Sequence, residues 1–191
     1  SITDIYLFES INPIYWLHSN LRLQAEVSMR QTLISADSHI TEPPNVYLDY
    51  IDKKFKDRAP YLHRDPKGGD MFIMGDPLPP IPIGIIAAAG KNPTEIRYEG
   101  VQFEDMHKGG YEPNARIGEQ DKDGISAEII YPSIGMMLCN HPDFDLKRAC
   151  FQAYNLWLKD YCAAYPDRLL GAGQIAMHDP NEAIKDLELI K

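Results

Sequence analysis

Between Asn114 and Lys191 the chain alternates short apolar runs with capped, amphipathic segments, and this alternation restricts the fold more than any other feature. Asn114 is placed to cap a helix through Asp123, and Gly124 is placed to end it in the left-handed conformation that glycine adopts at low cost. Residues 127–131 then read as a buried strand stopped by Pro132. Asp143 or Asp145 can cap the next helix, in which Phe151, Tyr154, Leu158, Tyr161 and Tyr165 recur at three- and four-residue steps and so share one face; Pro166 ends it. Residues 169–176 read as a further strand. Asp179-Pro180-Asn181-Glu182 supplies the cap, first-turn proline and early acidic residue that open a helix. Strand, helix, strand, helix predicts an α/β fold on a parallel sheet.

Upstream, residues 32–37 read as the first strand of that layer, with Leu33-Ile34 and small neighbours suited to a strand buried on both faces. Asp37 and His39 lie two residues apart at its end. In a strand that spacing aims both side chains to one side, so a carboxylate oxygen and an imidazole nitrogen can converge on one point. The same tripeptide also fits plain turn chemistry, with Asp37 as a cap. Glu42 follows, and Pro43-Pro44 delay the next helix. Val46, Tyr47, Tyr50 and Ile51 recur at helical spacing, with the lysine-rich run Lys53-Lys54-Phe55-Lys56 expected on the same short helix, its charges facing water. From Arg58 to Pro113 repeated proline and glycine break every long element. This stretch is expected to be a long loop insertion after the first strand, either a lid over a pocket or a tolerated surface loop, with Met71–Met74 as half of a hairpin.

Several segments, in order, resemble the amidohydrolase-related (amidohydrolase 2) metal-dependent hydrolases of the aminocarboxymuconate-semialdehyde decarboxylase type. They are Asp37-Ser38-His39-Ile40-Thr41-Glu42-Pro43, Asp121-Lys122-Asp123-Gly124-Ile125 leading to Ile129-Ile130-Tyr131-Pro132-Ser133, Tyr154-Asn155-Leu156-Trp157-Leu158, and Pro166-Asp167-Arg168-Leu169. The resemblance runs from about Met29 onward. It implies a (β/α)8 TIM barrel carrying one divalent metal at the carboxyl-terminal mouth.

A complete barrel of that kind takes about 250 residues, and this chain has 191. The expectation is therefore an N-terminal fragment: residues 29–191 form the first few β/α units of the barrel, and residues 1–28 are an extension outside the fold. Nineteen basic against twenty-eight acidic residues give a formal charge of −9, which disfavours a nucleic-acid partner. No apolar run approaches the roughly 18 residues of a membrane span. The three cysteines Cys139, Cys150 and Cys162 have neither disulfide-framework nor zinc-ribbon spacing, so the cytoplasm is the default location.

Asp and His suit zinc, with manganese as the alternative, and two ligands leave the set unfinished. The resemblance implies that a later histidine and a final aspartate, both beyond Lys191, complete it; many relatives carry histidine where this chain has Asp37. The catalytic residue stays unassigned. Hydrolysis and decarboxylation of a small organic substrate both remain open, as does self-association into a homo-oligomer. Glu42 and His178 are candidates for the pocket or for supporting the ligands. His63 and His107 lie in the long insertion. The opposing reading is non-enzymatic, a partial β/α layer that needs a partner or its missing half, and the fragment alone is expected to be inactive.

Overall fold

The computed structural model describes residues 32–86 and 88–190, so the extension expected over residues 1–28 lies outside the described residues. In chain order the elements are β1 (Leu33–His39), α1 (Val46–Tyr50), β2 (Tyr61–Arg64), β3 (Asp70–Ile73), β4 (Ile81–Pro82), α2 (Pro113–Asp123), β5 (Ile125–Tyr131), α3 (Ile134–Leu138), α4 (Phe144–Cys162), β6 (Leu169–Gly171) and α5 (Pro180–Ile190), with short 3-10 helices between. They make a parallel sheet in the order β1-β5-β6 and a separate antiparallel sheet in the order β2-β3-β4. The mixed α/β architecture with a parallel sheet follows the alternation in the sequence.

Caps define the helices. Gly124, at φ 70°, terminates α2 in the left-handed region, and the Asp143 carboxylate accepts the Leu146 amide at 3.0 Å to start α4. Asp179 does the same for the Asn181 amide at 2.8 Å ahead of α5. Asn114 behaves differently from its expected role. Pro113 already occupies the first helical position and Glu112 precedes it, so Asn114 lies inside the helix and accepts the Tyr165 hydroxyl at 2.9 Å. Along α4, Phe151, Tyr154, Leu158 and Tyr161 are buried, whereas Tyr165 falls beyond the last turn. Burying each of the larger apolar side chains stabilises by about 1.5–3 kcal/mol, which makes this face the main attachment of the helix.

Three expectations require correction. The strand expected over residues 169–176 pairs only through Gly171, because the buried Asn155 side chain takes over the next backbone groups: it accepts the Gln174 amide and donates to the Gln174 carbonyl, both at 2.8 Å. The single helix expected across residues 46–56 is two pieces. Ile51 is extended (ψ 149°), and Asp52 accepts the Lys54 amide at 3.1 Å to open a separate 3-10 helix, Lys53–Arg58. Most of all, β1 is not buried on both faces: Leu33 and Ile34 are 49% and 54% exposed. It is an edge of the parallel sheet, with only β5 beside it among the described residues.

The stretch expected to be a loop contains the antiparallel sheet. Its first turn is closed by Asp65, whose carboxylate accepts the Lys67 and Gly69 amides at 2.7 and 3.0 Å, with Gly68 at φ 83°. Asp70 on β3 is buried; it takes two bonds from Arg64, at 2.8 and 2.9 Å, and a third from the Phe103 amide at 2.9 Å. Hydrogen bonding from Arg64 holds its carboxyl below the usual carboxylate range. Phe72, Met74 and Ile83 belong to the same buried cluster as Ile130, Leu158 and Leu169, so the insert is packed onto the layer rather than draped over it.

Candidate functional site

The carboxyl end of β1 presents Asp37 and His39 on one side of the strand. The ladder with β5 is irregular just before them: Ser35 faces Glu128 while Ser38 faces Ile130, so three steps on β1 match two on β5. This bulge puts Ser35 and Ser38 together, with hydroxyl oxygens 2.7 Å apart, and leaves the Asp37–His39 spacing intact. Bulges of this kind re-aim side chains next to sites.

The imidazole is oriented by β5. His39 Nδ1 lies 2.9 Å from the Pro132 carbonyl, which can only accept, so Nδ1 carries the ring proton and donates it. Nε2 then faces the Asp37 carboxylate at 3.3 Å, with the aspartate 82% exposed. With Nδ1 donating, Nε2 and an Asp37 oxygen are close enough to share one cation, whether a metal ion or the proton of a His–Asp ion pair. Ligands about 2.0–2.1 Å from a tetrahedral ion stand about 3.3 Å apart, so the pair has the separation of two such ligands. Among the described residues no cluster of three or more His, Cys, Asp or Glu side chains could hold a metal.

Two buried charges fix the surroundings. Glu42 is fully buried, and its carboxylate accepts the amides of Ser133, Ile134 and Gly135 at 3.3, 3.0 and 2.9 Å. Burial pushes its carboxyl above the usual value, opposed in part by those amides. It thereby pins the turn after β5, which carries the Pro132 carbonyl that orients His39. Arg116 of α2, also buried, pairs with Glu128 of β5 and donates to the carbonyls of His39 and Gly109 at 3.1 and 3.2 Å. One guanidinium thus ties the end of β1, the centre of the sheet and the end of the insert. Sequence reasoning missed Arg116; the available signal was a charged residue on the same helical stripe as Ile117 and Gln120.

A cavity of about 300 Å³ opens beside His39. Thr41 and Ser133 contribute from the strand ends, and Ile86, Met106 and His107 from the insert. His178 does not line it: its ring stacks on Phe144 with centroids 4.2 Å apart. Glu42 does not line it either and lies behind the turn. A larger hollow of about 540 Å³ sits against the unpaired edge of β6, lined by Leu158, Cys162, Leu170 and Ile190. No described helix is long and apolar enough to cross a membrane.

The fold is similar to part of an amidohydrolase from Mycobacterium avium subsp. paratuberculosis K-10, with a TM-score of 0.62 at 22% identity over 85% of this chain. The chain spans 46% of that protein's length. A 2,6-dihydroxybenzoate decarboxylase from Rhizobium also aligns, with a TM-score of 0.42 and 15% identity over 83% of this chain and 34% of that one, a likeness too weak to carry an argument. No protein-family model and no curated protein sequence matches the chain.

Proposed function

We propose that the chain is the amino-terminal part of a divalent-metal-dependent (β/α)8 barrel enzyme of the amidohydrolase-related, aminocarboxymuconate-semialdehyde decarboxylase-like type. It acts on a small organic substrate, by hydrolysis or by decarboxylation. Residues 29–191 form the first β/α units, and Asp37 and His39 are two of the metal ligands. The observation that carries this reading is the facing of His39 Nε2 and Asp37 Oδ1 at 3.3 Å, with the ring proton already committed to the Pro132 carbonyl.

Zinc suits this donor pair best, with manganese second. When bound, the ion supplies a water whose pKa is lowered toward about 7, or a fixed positive charge that orients a carboxylated substrate. The remaining ligands come from strands outside this chain. In this scheme His39 is held in one tautomer by Pro132, and Glu42 steadies that carbonyl through the Ser133–Gly135 amides. Arg116 locks the strand end from below, and the insert walls the substrate cavity from water. Support of this kind behind a ligand commonly governs metal affinity by one to two orders of magnitude.

The exposed Leu33, Ile34 and Leu170, on a sheet whose outer strands β1 and β6 have one neighbour each among the described residues, favour a second reading, a partial layer that functions only by docking another chain. Elemental analysis of the full-length protein separates the two. The enzymatic reading expects about one zinc or manganese per chain, lost in Asp37→Ala and in His39→Ala while the fold persists. Equal metal content in both variants and the parent refutes the ligand assignment. The 191-residue chain alone is expected to turn over no substrate.

A further inference from the structure

We propose that Glu42 is a proton-operated latch on the site: charged, it holds the turn that aims His39, and on taking up a proton it loosens that turn, so that the metal is held tightly near neutral pH and released in acid more readily than the ligands alone dictate. This regulation rests on the metal-ligand role of Asp37 and His39 proposed above; the latch itself is argued from the turn.

Glu42 is a charge that the fold buries without a counter-charge. Its side chain is fully enclosed, and no lysine, arginine or histidine faces it among the described residues. Backbone takes the place of a cation: Oε2 accepts the Ser133 and Ile134 amides, and Oε1 accepts the Gly135 amide. The titratable groups around the carboxylate are phenols, Tyr47 from α1 and Tyr154 from α4, with Cys150 of α4 next to Tyr47. Both phenols are buried, and neither hydroxyl has a hydrogen-bond partner among the described residues. Burial first, and then the Glu42 charge, pushes both above the usual phenol value, so each keeps its proton and its oxygen stays free to accept.

A proton taken up by Glu42 falls on Oε1, which holds one amide where Oε2 holds two. The new O–H has an acceptor in the unpartnered phenol of Tyr47. The Gly135 amide then meets a neutral hydroxyl oxygen, and a charge-assisted bond, roughly twice as strong as a neutral one, is lost. Burial favours the exchange and raises the carboxyl above its usual value, with the amides opposing it. The consequence travels one residue, because Pro132, whose carbonyl takes the His39 Nδ1 proton at 2.9 Å, directly precedes the three amides. The Gln174 side chain donates to the Gly135 carbonyl at 2.9 Å whatever the state of Glu42, so α3 keeps an anchor and the loosening stays within the turn.

Zinc affinity of the full-length protein and of its Glu42→Gln variant, measured by chelator competition from about pH 8 to about pH 5, tests the latch, because the loss that comes from protonating the ligands is common to both. The expected result is a variant about tenfold weaker at the upper end, where only the parent carries the charge, and a gap that closes to within about twofold at the lower end. A gap that stays constant with pH, or a variant equal to the parent throughout, overturns the proposal. Amide exchange of the metal-free parent needs no variant: the peptide over Ser133–Gly135 should lose protection in acid, after correction for the intrinsic rate, while a peptide from α4 does not. Unchanged protection there overturns the latch even where Glu42→Gln fails to fold. A parent that binds no zinc while this turn still loosens in acid overturns the ligand assignment of Asp37 and His39 and leaves the hold of Glu42 on the turn standing.

Discussion

The parallel layer and the antiparallel insert are held together in different ways. The layer rests on packing: β5 contributes Ile130 and β6 contributes Leu169 to a shared buried cluster, and α4 closes it with Phe151, Tyr154, Leu158 and Tyr161. The insert adds individual polar locks, among them Asp65 at its first turn, Asp70 between Arg64 and the Phe103 amide, and Asp105 on the Gln102 amide at 3.0 Å. Packing distributes stability over many weak contacts, whereas a lock concentrates it in a few atoms. The site lies where the two regions meet, with His39 from the first and His107 from the second.

The sharpest break in that contrast is Arg116, a lock that serves the layer. Arg116→Met leaves the partly buried Glu128 carboxylate without its partner and is expected to cost about 3 kcal/mol in chemical denaturation, whereas pairing it with Glu128→Leu recovers most of the loss. If Arg116→Met alone proves neutral, the pair contributes nothing and the layer rests on packing only. Next in size, Asp70→Ala is expected to cost about 2 kcal/mol, visible as faster amide exchange in β2 and β3 with β5 unchanged. Because the Asp70 carboxyl titrates below its usual value in the fold, its contribution is present above the unfolded carboxyl value and is lost as pH falls through the lowered one. Parent and variant stabilities should therefore converge in acid; a gap that persists there assigns the effect to packing. Smallest, Lys67→Ala removes an exposed pair with Glu99, and its melting temperature should match the parent's.

The same contrast explains what could be read in advance. Gly124, Asp143 and Asp179 were legible because a cap acts within three residues of itself, and the Asp37–His39 pairing was legible because a strand has period two. The strand order could be expected from the alternation of elements, but the exposure of Leu33 and Ile34 could not, since it depends on what lies beside β1. In the insert, Met71–Met74 was legible as half of a hairpin, and β3 does pair antiparallel with β2; its link to the rest of the insert was not, because Asp70 makes it through a side-chain bond to the distant Phe103 amide, which leaves no period behind. Asn155 cut the third strand short for the same reason. Arg116 matters through partners outside its own helix, His39 above all, and no local spacing reports those.

The bulge in β1 has one more consequence. The ladder needs only two steps between Ser35 and Ser38 and is given three, so Ala36-Asp37 holds one residue more than the ladder uses, and Ala36 is the one with no part in the site. Removing it would restore a plain pleat with both serines still on one side and Asp37 and His39 still on the other. The strand's length and the aim of its imidazole are thereby uncoupled: the chain can gain or lose a residue ahead of the site, and the ring still meets the Pro132 carbonyl.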